Sequence, residues 1–107
     1  MVTIEGEEWF SCGEIAEGIN SNDSRFLELK KKYCRTFGYA RSHYFDYQYI
    51  QNHLYKANKN KEIRHCVYHN SKAGCARYVY TIKDLYDWVS MQEKKMIAKY
   101  EIIGVAE

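Results

Sequence analysis

The chain has 107 residues, which is enough for one compact domain and too few for two. With 46% hydrophobic residues, 28% charged residues and a net charge of +2, its composition is that of a globular protein and excludes a disordered one. No stretch approaches the ~18 apolar residues of a membrane span, so we expect no membrane association. The first eight residues lack the Lys or Arg of a secretory or transit peptide. We therefore expect a cytoplasmic protein with reduced cysteines.

The first predicted helix opens with Ser11-Cys12-Gly13-Glu14, a capping box in which the Ser hydroxyl and the Glu carboxylate satisfy backbone donors. Gly18 and the polar run at 20–23 are expected to end this helix. Trp9 and Phe10, just before the cap, are placed to pack back as a hydrophobic staple or a short strand. The apolar face has the i, i+3, i+4, i+7 spacing of a helix and consists of Cys12, Ile15, Ala16 and Ile19.

Two further helices are predicted before residue 60. The second begins at Asp23-Ser24, runs to about Thr36 and stops at Gly38. The third runs from Phe45 or Asp46 to about Asn58. The expected inward-facing side chains are Phe26, Leu29, Tyr33 and Phe37 in the second helix, and Tyr47, Ile50, Leu54 and Ala57 in the third. The outward side of the third helix is expected to show Tyr49, Asn52, His53 and Lys56.

A β-hairpin and a last helix are predicted in the second half of the chain. The runs 63–69 and 75–82 are β-branched and aromatic, and they flank a five-residue loop that contains Gly74. A second capping-box pattern, Thr81-Ile82-Lys83-Asp84, opens the last helix. Its apolar face is predicted to be Leu85, Trp88, Val89, Gln92 and Met96. For the tail from about residue 100 two predictions stay open: a mobile segment, or a strand that pairs with Val2-Ile4.

The order of the elements is three helices, a basic hairpin and a further helix. This order is that of a winged helix, in which the third helix enters the major groove of DNA. We therefore predict an α+β fold over residues 1–107, a winged helix-turn-helix-like domain with about four helices and one β-hairpin wing.

Charge is distributed unevenly along the chain. Residues 1–23 carry a net charge of −6 with no Lys or Arg, residues 24–79 carry +9, and residues 80–107 carry −1. A localised basic region is typical of a phosphate-binding surface. The alternative is a set of charged residues that only face water.

The third helix and the hairpin carry the residue types that read duplex DNA. Asn52 can pair with adenine, and His53 and Lys56 can donate to guanine or phosphate. Other cations would contact phosphates, which set affinity but not sequence. The predicted DNA-binding residues are Arg41, Tyr49, Asn52, His53, Lys56, Lys59, Lys61, Arg64, Lys72 and Arg77. If the second helix reads the DNA instead, Arg25, Lys31, Lys32 and Arg35 take this role.

Neither a metal site nor an active site is predicted. Cys66, His69 and Cys75 suggest zinc ligands, with His65 or His43 as a fourth. However, positions 66 and 69 point to opposite faces of one strand, and the spacing lacks the paired pattern of a structural zinc site. A Cys–His pair occurs without a nucleophile elbow, and no phosphate-binding loop or dinucleotide fingerprint is present. We expect no cofactor and no enzymatic activity.

Two segments resemble known DNA-binding domains. Trp9-Phe10-Ser11-Cys12-Gly13-Glu14-Ile15-Ala16 resembles the opening of the winged-helix domains of phage Mu-type transposases and repressors. The segment 78–88, which ends in Leu85-Tyr86-Asp87-Trp88, is similar to the exit from the wing in excisionases and phage terminase small subunits. The resemblance implies a regulator or recombination accessory protein of a phage or mobile element. In those families the wing follows soon after the second helix, whereas here residues 38–62 intervene.

Three functions stay open at this point. The first is sequence-specific binding of duplex DNA, commonly as a homodimer on paired half-sites. The second is a small interaction protein that inhibits a host or defence nucleic-acid enzyme, as anti-CRISPR proteins do. The third is a binder of single-stranded nucleic acid that stacks bases on tyrosines. The tyrosines in question are Tyr39, Tyr44, Tyr47, Tyr49 and Tyr55, of which we expect about half to pack in the core.

Overall fold

The computed structural model of the protein describes residues 1–70, 75–98 and Gly104. This part of the chain is mixed α+β, with four α-helices and one antiparallel sheet of four strands. A short 3-10 turn at Ser24–Phe26 precedes the second helix. The elements in chain order are β1 (Val2–Ile4), β2 (Glu7–Ser11), α1 (Cys12–Asn20), α2 (Leu27–Phe37), α3 (Tyr47–Lys59), β3 (Cys66–Asn70), β4 (Cys75–Tyr80) and α4 (Ile82–Ala98).

Local signals set the helix boundaries, as predicted. The Ser11 hydroxyl accepts from the Glu14 N–H at 3.3 Å, and the Glu14 carboxylate accepts from the Ser11 N–H at 3.0 Å, which confirms the first capping box. Thr81 Oγ1 accepts from the N–H of Asp84 at 3.1 Å at the start of α4. Helix α2 ends at Gly38, whose φ of +77° lies in the left-handed region that glycine adopts without strain.

The sheet is larger than the predicted hairpin because the N-terminus adds two strands. The strand order is β1-β2-β4-β3. Strands β1 and β2 form a tight hairpin in which Glu5 and Gly6 both have positive φ, as a type I′ turn requires. Strand β2 then pairs with β4, with Phe10 opposite Tyr80. The predicted pairing of residues 2–4 with the C-terminal tail involves residues outside the described part of the chain, as does the hairpin loop at 71–74.

Helix α1 ends at Asn20, in the predicted polar run, but Gly18 lies inside the helix and does not end it. The absence of a side chain at Gly18 makes room for the ring of Phe26. A Cβ at this position would lie 2.5 Å from the Phe26 ring, which is too close for any real contact. Gly18 is therefore a packing residue that brings the turn before α2 against α1.

The main core fills the space between the helices and one face of the sheet. The predicted inward residues of α1 are all buried, as are Ile50, Leu54 and Ala57 of α3. The largest side chains with almost no exposure are Phe26, Phe45 and Tyr80, together with Ile15, Ile19, Leu29, Ile50 and Val89. On α4 the prediction holds for Leu85, Trp88 and Val89, whereas Met96 is 36% exposed.

Three predicted orientations on α3 are wrong, and one of them is that of Tyr49, which was expected to face outward but is half-buried. Tyr47 was expected in the core but is 48% exposed, at the first residue of α3 and beside Gly13 of α1. His53 was expected to face outward but is half-buried against rings of α2 and α4. None of the helices described is long and apolar enough to cross a bilayer.

Candidate nucleic-acid interface

Helix α3 presents a polar face to solvent, opposite the side that packs in the core. Because Ile50, Leu54 and Ala57 are buried, residues about half a turn away must face outward. The Asp46 carboxylate fixes the start of the helix by accepting from the N–H of Gln48 at 2.7 Å. The outward face of α3 consists of the exposed residues Gln48, Asn52, Tyr55, Lys56 and Lys59.

The cations on and just after this face are not neutralised by the rest of the described chain. Lys56, Lys59 and Lys61 are all exposed, and none forms an ion pair with an acidic residue in the ranges that the structure describes. Lys61 follows the helix in a turn with a φ of +56°. This end of α3 therefore keeps three positive charges, and the negative end of the helix dipole further favours cations there.

The acidic N-terminus neutralises part of the basic region instead. Arg25 pairs with Asp23 at 2.9 Å and with Glu8 at 3.5 Å. Arg64 pairs with Glu7 at 3.0 Å. The guanidinium of Arg64 also reaches Asp84 at 2.8 Å and lies 4.9 Å from the centre of the Trp9 ring. Arg64, a predicted DNA-binding residue, is thus already engaged between the sheet and α4.

The cations of α2 are paired within the chain as well. Lys31 lies 3.4 Å from Glu28, and both Lys32 and Arg35 contact Glu93 of α4, at 3.6 and 3.2 Å. All four cations of the alternative reading helix, Arg25 included, are therefore in ion pairs. Exposed pairs contribute little stability and can be exchanged, but α2 carries less unneutralised positive charge than the end of α3.

His53 belongs to the core packing of α3 and not to its outward face. Its Nδ1 lies 2.6 Å from the Tyr33 hydroxyl, and its ring packs against Phe37 and Trp88, with centroids 4.8 and 5.1 Å away. Burial lowers the pKa of His53, and the nearby charge of Lys56 lowers it further. Burial raises the pKa of Tyr33 far above its ordinary value. Both groups are therefore uncharged, and one hydrogen bond joins the Tyr33 hydroxyl to Nδ1 of the imidazole.

Tyr49 is likewise half-buried rather than outward. Its hydroxyl accepts from the Tyr39 hydroxyl at 2.7 Å, and the two rings meet edge to face. Burial raises the pKa of Tyr49 to about 12. Of the five tyrosines considered for base stacking, Tyr39 and Tyr49 pack against the core, whereas Tyr44, Tyr47 and Tyr55 are exposed, at 73, 48 and 40%.

A groove of about 430 Å³ runs beside the outward face of α3, between this helix, the start of α1 and strand β4. The Tyr55 ring packs edge to face on Tyr78 at 5.2 Å, and the Gln51 amide donates to the Tyr55 hydroxyl at 3.1 Å. Arg77 lies on its rim, exposed and without an ion pair to any described residue. The groove is lined by Ser11, Cys12, Gly13, Tyr47, Gln51, Tyr55, Arg77 and Tyr78.

Tyr47 and Tyr55 were among the tyrosines predicted for base stacking, whereas Gln51 was not assigned to any site. The i, i+4, i+8 spacing of these three residues beside Asn52 and Lys56 is a signal that could have found Gln51. Two other predicted residues fall elsewhere. Arg41 lies in a different cleft, between α2 and α4. Lys72 lies outside the described residues.

The side chains of His69 and Cys75 also lie outside the description. Among the side chains that the structure describes, no group of three His, Cys, Asp or Glu residues is placed to hold a metal ion. Comparison of the chain with protein-family models, with curated proteins and with solved structures gives no match. Its function must therefore be argued from the chemistry of the surface itself.

Proposed function

We propose that this protein binds double-stranded DNA, with the outward face of α3 in the major groove. The observation that carries the proposal is the exposed, unneutralised set of Asn52, Lys56 and Lys59 on one side of α3. An asparagine can form two hydrogen bonds with adenine, and a lysine can donate to guanine or to phosphate. The paired cations of α2 offer less free charge to a phosphate backbone.

We further propose that the arrangement is a winged helix. Three helices precede the β3–β4 hairpin, and Arg77 is an exposed cation on that hairpin. The pairing of β2 with β4 anchors the hairpin to the strand that leads into α1. An anchored hairpin beside α3 is the geometry in which a wing contacts the neighbouring backbone.

The cellular role belongs to the same proposal. The resemblance to phage and mobile-element domains favours a regulator or recombination accessory protein. Cys12, Cys34 and Cys66 are free thiols, and two of them are buried in the core. Free buried thiols suit a reducing compartment, so the proposed site of action is the cytoplasm.

The salt dependence of duplex binding tests the proposal. Binding of a fluorescent random-sequence duplex is measured by anisotropy at several salt concentrations. Lys56→Ala/Lys59→Ala should lower the slope of log Kd against log salt by about 1.8, because each lost phosphate contact contributes about 0.9. The control Arg25→Ala/Lys83→Ala removes two cations that are already ion-paired with Asp23 and Asp87, and it should leave the slope nearly unchanged.

Two results would count against this assignment. If Lys31→Ala/Arg35→Ala lowers the slope of log Kd against log salt by more than Lys56→Ala/Lys59→Ala does, α2 and not α3 is the helix that contacts DNA. If the wild type binds no duplex even at low salt, the DNA proposal is wrong, and inhibition of a nucleic-acid enzyme through a protein contact becomes the leading hypothesis.

The groove beside α3 favours a second candidate, binding of single-stranded nucleic acid. Tyr47 and Tyr55 are exposed aromatic rings on one wall, and Arg77 supplies a cation on the rim. Base stacking on an aromatic side chain contributes about 1–3 kcal/mol per base. Under this candidate a single-stranded oligonucleotide binds more tightly than the matching duplex, and Tyr55→Ala removes the preference. An unchanged preference in Tyr55→Ala would reject it.

A further inference from the structure

We propose that the cleft between α2, the segment after it and α4 is a binding site for a phosphate group. It shares no residue with the outward face of α3, so it does not depend on the function proposed there. The cleft has a volume of about 380 Å³. Its lining consists of Glu28, Lys31, Lys32, Cys34, Arg35, Tyr39, Arg41 and Tyr86.

The charge of this cleft is positive even after its internal ion pairs are counted. Glu28 pairs with Lys31, but Glu93 is shared by Lys32 and Arg35, so one carboxylate serves two cations. Arg41 is exposed and pairs with no acidic residue that the structure describes. The four cations and two carboxylates leave a net charge of +2, which is equal in size and opposite in sign to the charge of about −2 on a phosphate monoester. The cations are Lys31, Lys32, Arg35 and Arg41, and the carboxylates are Glu28 and Glu93.

Two of the cations, Lys32 and Arg35, are also positioned by contacts with α4. The side chain of Lys32 is only 14% exposed, and its Nζ lies 4.9 Å from the centre of the Tyr86 ring, in the range of a cation–π contact. The Arg35 Nε donates to Glu93 at 3.2 Å, and Thr36 donates to the same carboxylate oxygen at 3.4 Å. A site with ordered cations loses little side-chain entropy when an anion binds.

The state of Glu93 agrees with a positive local field. Burial alone would raise the pKa of its carboxyl group, but the hydrogen bond from Arg35 and the charges of Lys32 and Arg35 outweigh burial and lower it. Glu93 is therefore ionised, and an anionic ligand in the cleft would compete with its carboxylate for Lys32 and Arg35. Arg41 supplies the planar fork of donors that suits a phosphate.

Binding of inorganic pyrophosphate, measured by calorimetry at low ionic strength, tests the site. Arg41→Gln should weaken binding by about tenfold, the effect of losing one charge-assisted contact. Glu93→Gln should strengthen binding, a gain that a folding defect cannot imitate. Lys83→Gln removes the same charge from a lysine that lies outside the cleft and is paired with Asp87, and it should change the affinity by less than about twofold.

Two competition arms distinguish the source of the phosphate. Displacement of pyrophosphate by ATP assigns the cleft to a free nucleotide. Displacement of pyrophosphate by a duplex in the Lys56→Gln/Lys59→Gln background assigns the cleft to a nucleic-acid backbone. If neither ATP nor the duplex displaces pyrophosphate, the proposal is overturned. It is also overturned if wild type binds no pyrophosphate, or if Arg41→Gln and Lys83→Gln have equal effects. If pyrophosphate binds but wild type binds no duplex, the assignment of α3 fails and this one stands.

Discussion

A hydrogen bond of 2.6 Å between the hydroxyl of Tyr33 and Nδ1 of His53 joins α2 to α3 inside the aromatic part of the core. Tyr33 is 4% exposed, and its ring also meets Phe45 edge to face at 5.3 Å. The bond holds the half-buried imidazole of His53 against α2. The polar character of the outward face of α3 therefore comes from residues other than His53.

Tyr33→Phe should destabilise the protein by about 1–2 kcal/mol, because it leaves a half-buried imidazole nitrogen without its hydrogen-bond partner. The measurement is the free energy of unfolding from urea titration. Tyr44→Phe is the matched control, since the Tyr44 side chain is 73% exposed and its change should stay within about 0.5 kcal/mol. Equal effects of the two substitutions would contradict a structural role for the Tyr33–His53 bond.

Stability should fall as the pH drops below about 6.5, the ordinary pKa of histidine. The folded-state pKa of His53 is lowered by burial and by Lys56, so the unfolded chain takes up the proton first. The contribution is complete above pH 6.5, declines as the pH falls toward the folded-state pKa, and is constant below it. Urea midpoints between pH 7.5 and 5.5 should show the decline in wild type and a smaller one in His53→Gln. A flat wild-type profile would contradict the prediction.

Gly18→Ala should destabilise the protein by about 1–3 kcal/mol, because the new methyl group would lie 2.5 Å from the Phe26 ring and force the core to shift. Gly13→Ala in the same helix is the control. Its Cβ would lie 3.6 Å from Tyr47, an ordinary contact, so the loss of backbone freedom in the unfolded chain should stabilise by about 0.4–1 kcal/mol. Thermal unfolding separates the two, and the prediction fails if both shift Tm in the same direction.

Asn52 and Lys59 should have different effects on DNA selection. Asn52→Ala should relax the preference at one base pair, at a cost of about 1–3 kcal/mol for the preferred base. Lys59→Ala should weaken all sequences about equally, since a phosphate contact carries no base information. Selection from a randomised duplex pool, followed by sequencing, measures both effects. A preference that survives in Asn52→Ala would remove this residue from base reading.

The sequence predicted those features that depend on neighbours a few residues apart. Ser11 with Glu14 and Thr81 with Asp84 identify helix starts, and Gly38 identifies a helix end, because capping chemistry is local. The buried stripe of α1 was equally readable, since helical periodicity places every third or fourth residue on one side. The mixed α+β class follows from such signals.

Features that depend on distant parts of the chain could not be read in this way. The orientation of His53 depends on Trp88, which lies 35 residues later. The neutralisation of Arg35 and Arg64 comes from acids 58 and 57 residues away. Periodicity places a residue on a helix face but does not reveal which element covers that face, so the free and the neutralised cations could not be separated.

The pairing of β2 with β4 also constrains the order of folding. Phe10 must find Tyr80 across about 70 residues, and closing so long a loop costs more entropy than forming the local β1–β2 hairpin. During synthesis the ribosome must therefore release Tyr80 before the sheet can be completed, and until then β2 and helices α1 to α3 form a partly folded chain. Until then the nascent protein leaves one edge of β2 without a partner, open to contacts with chaperones or with a second nascent chain.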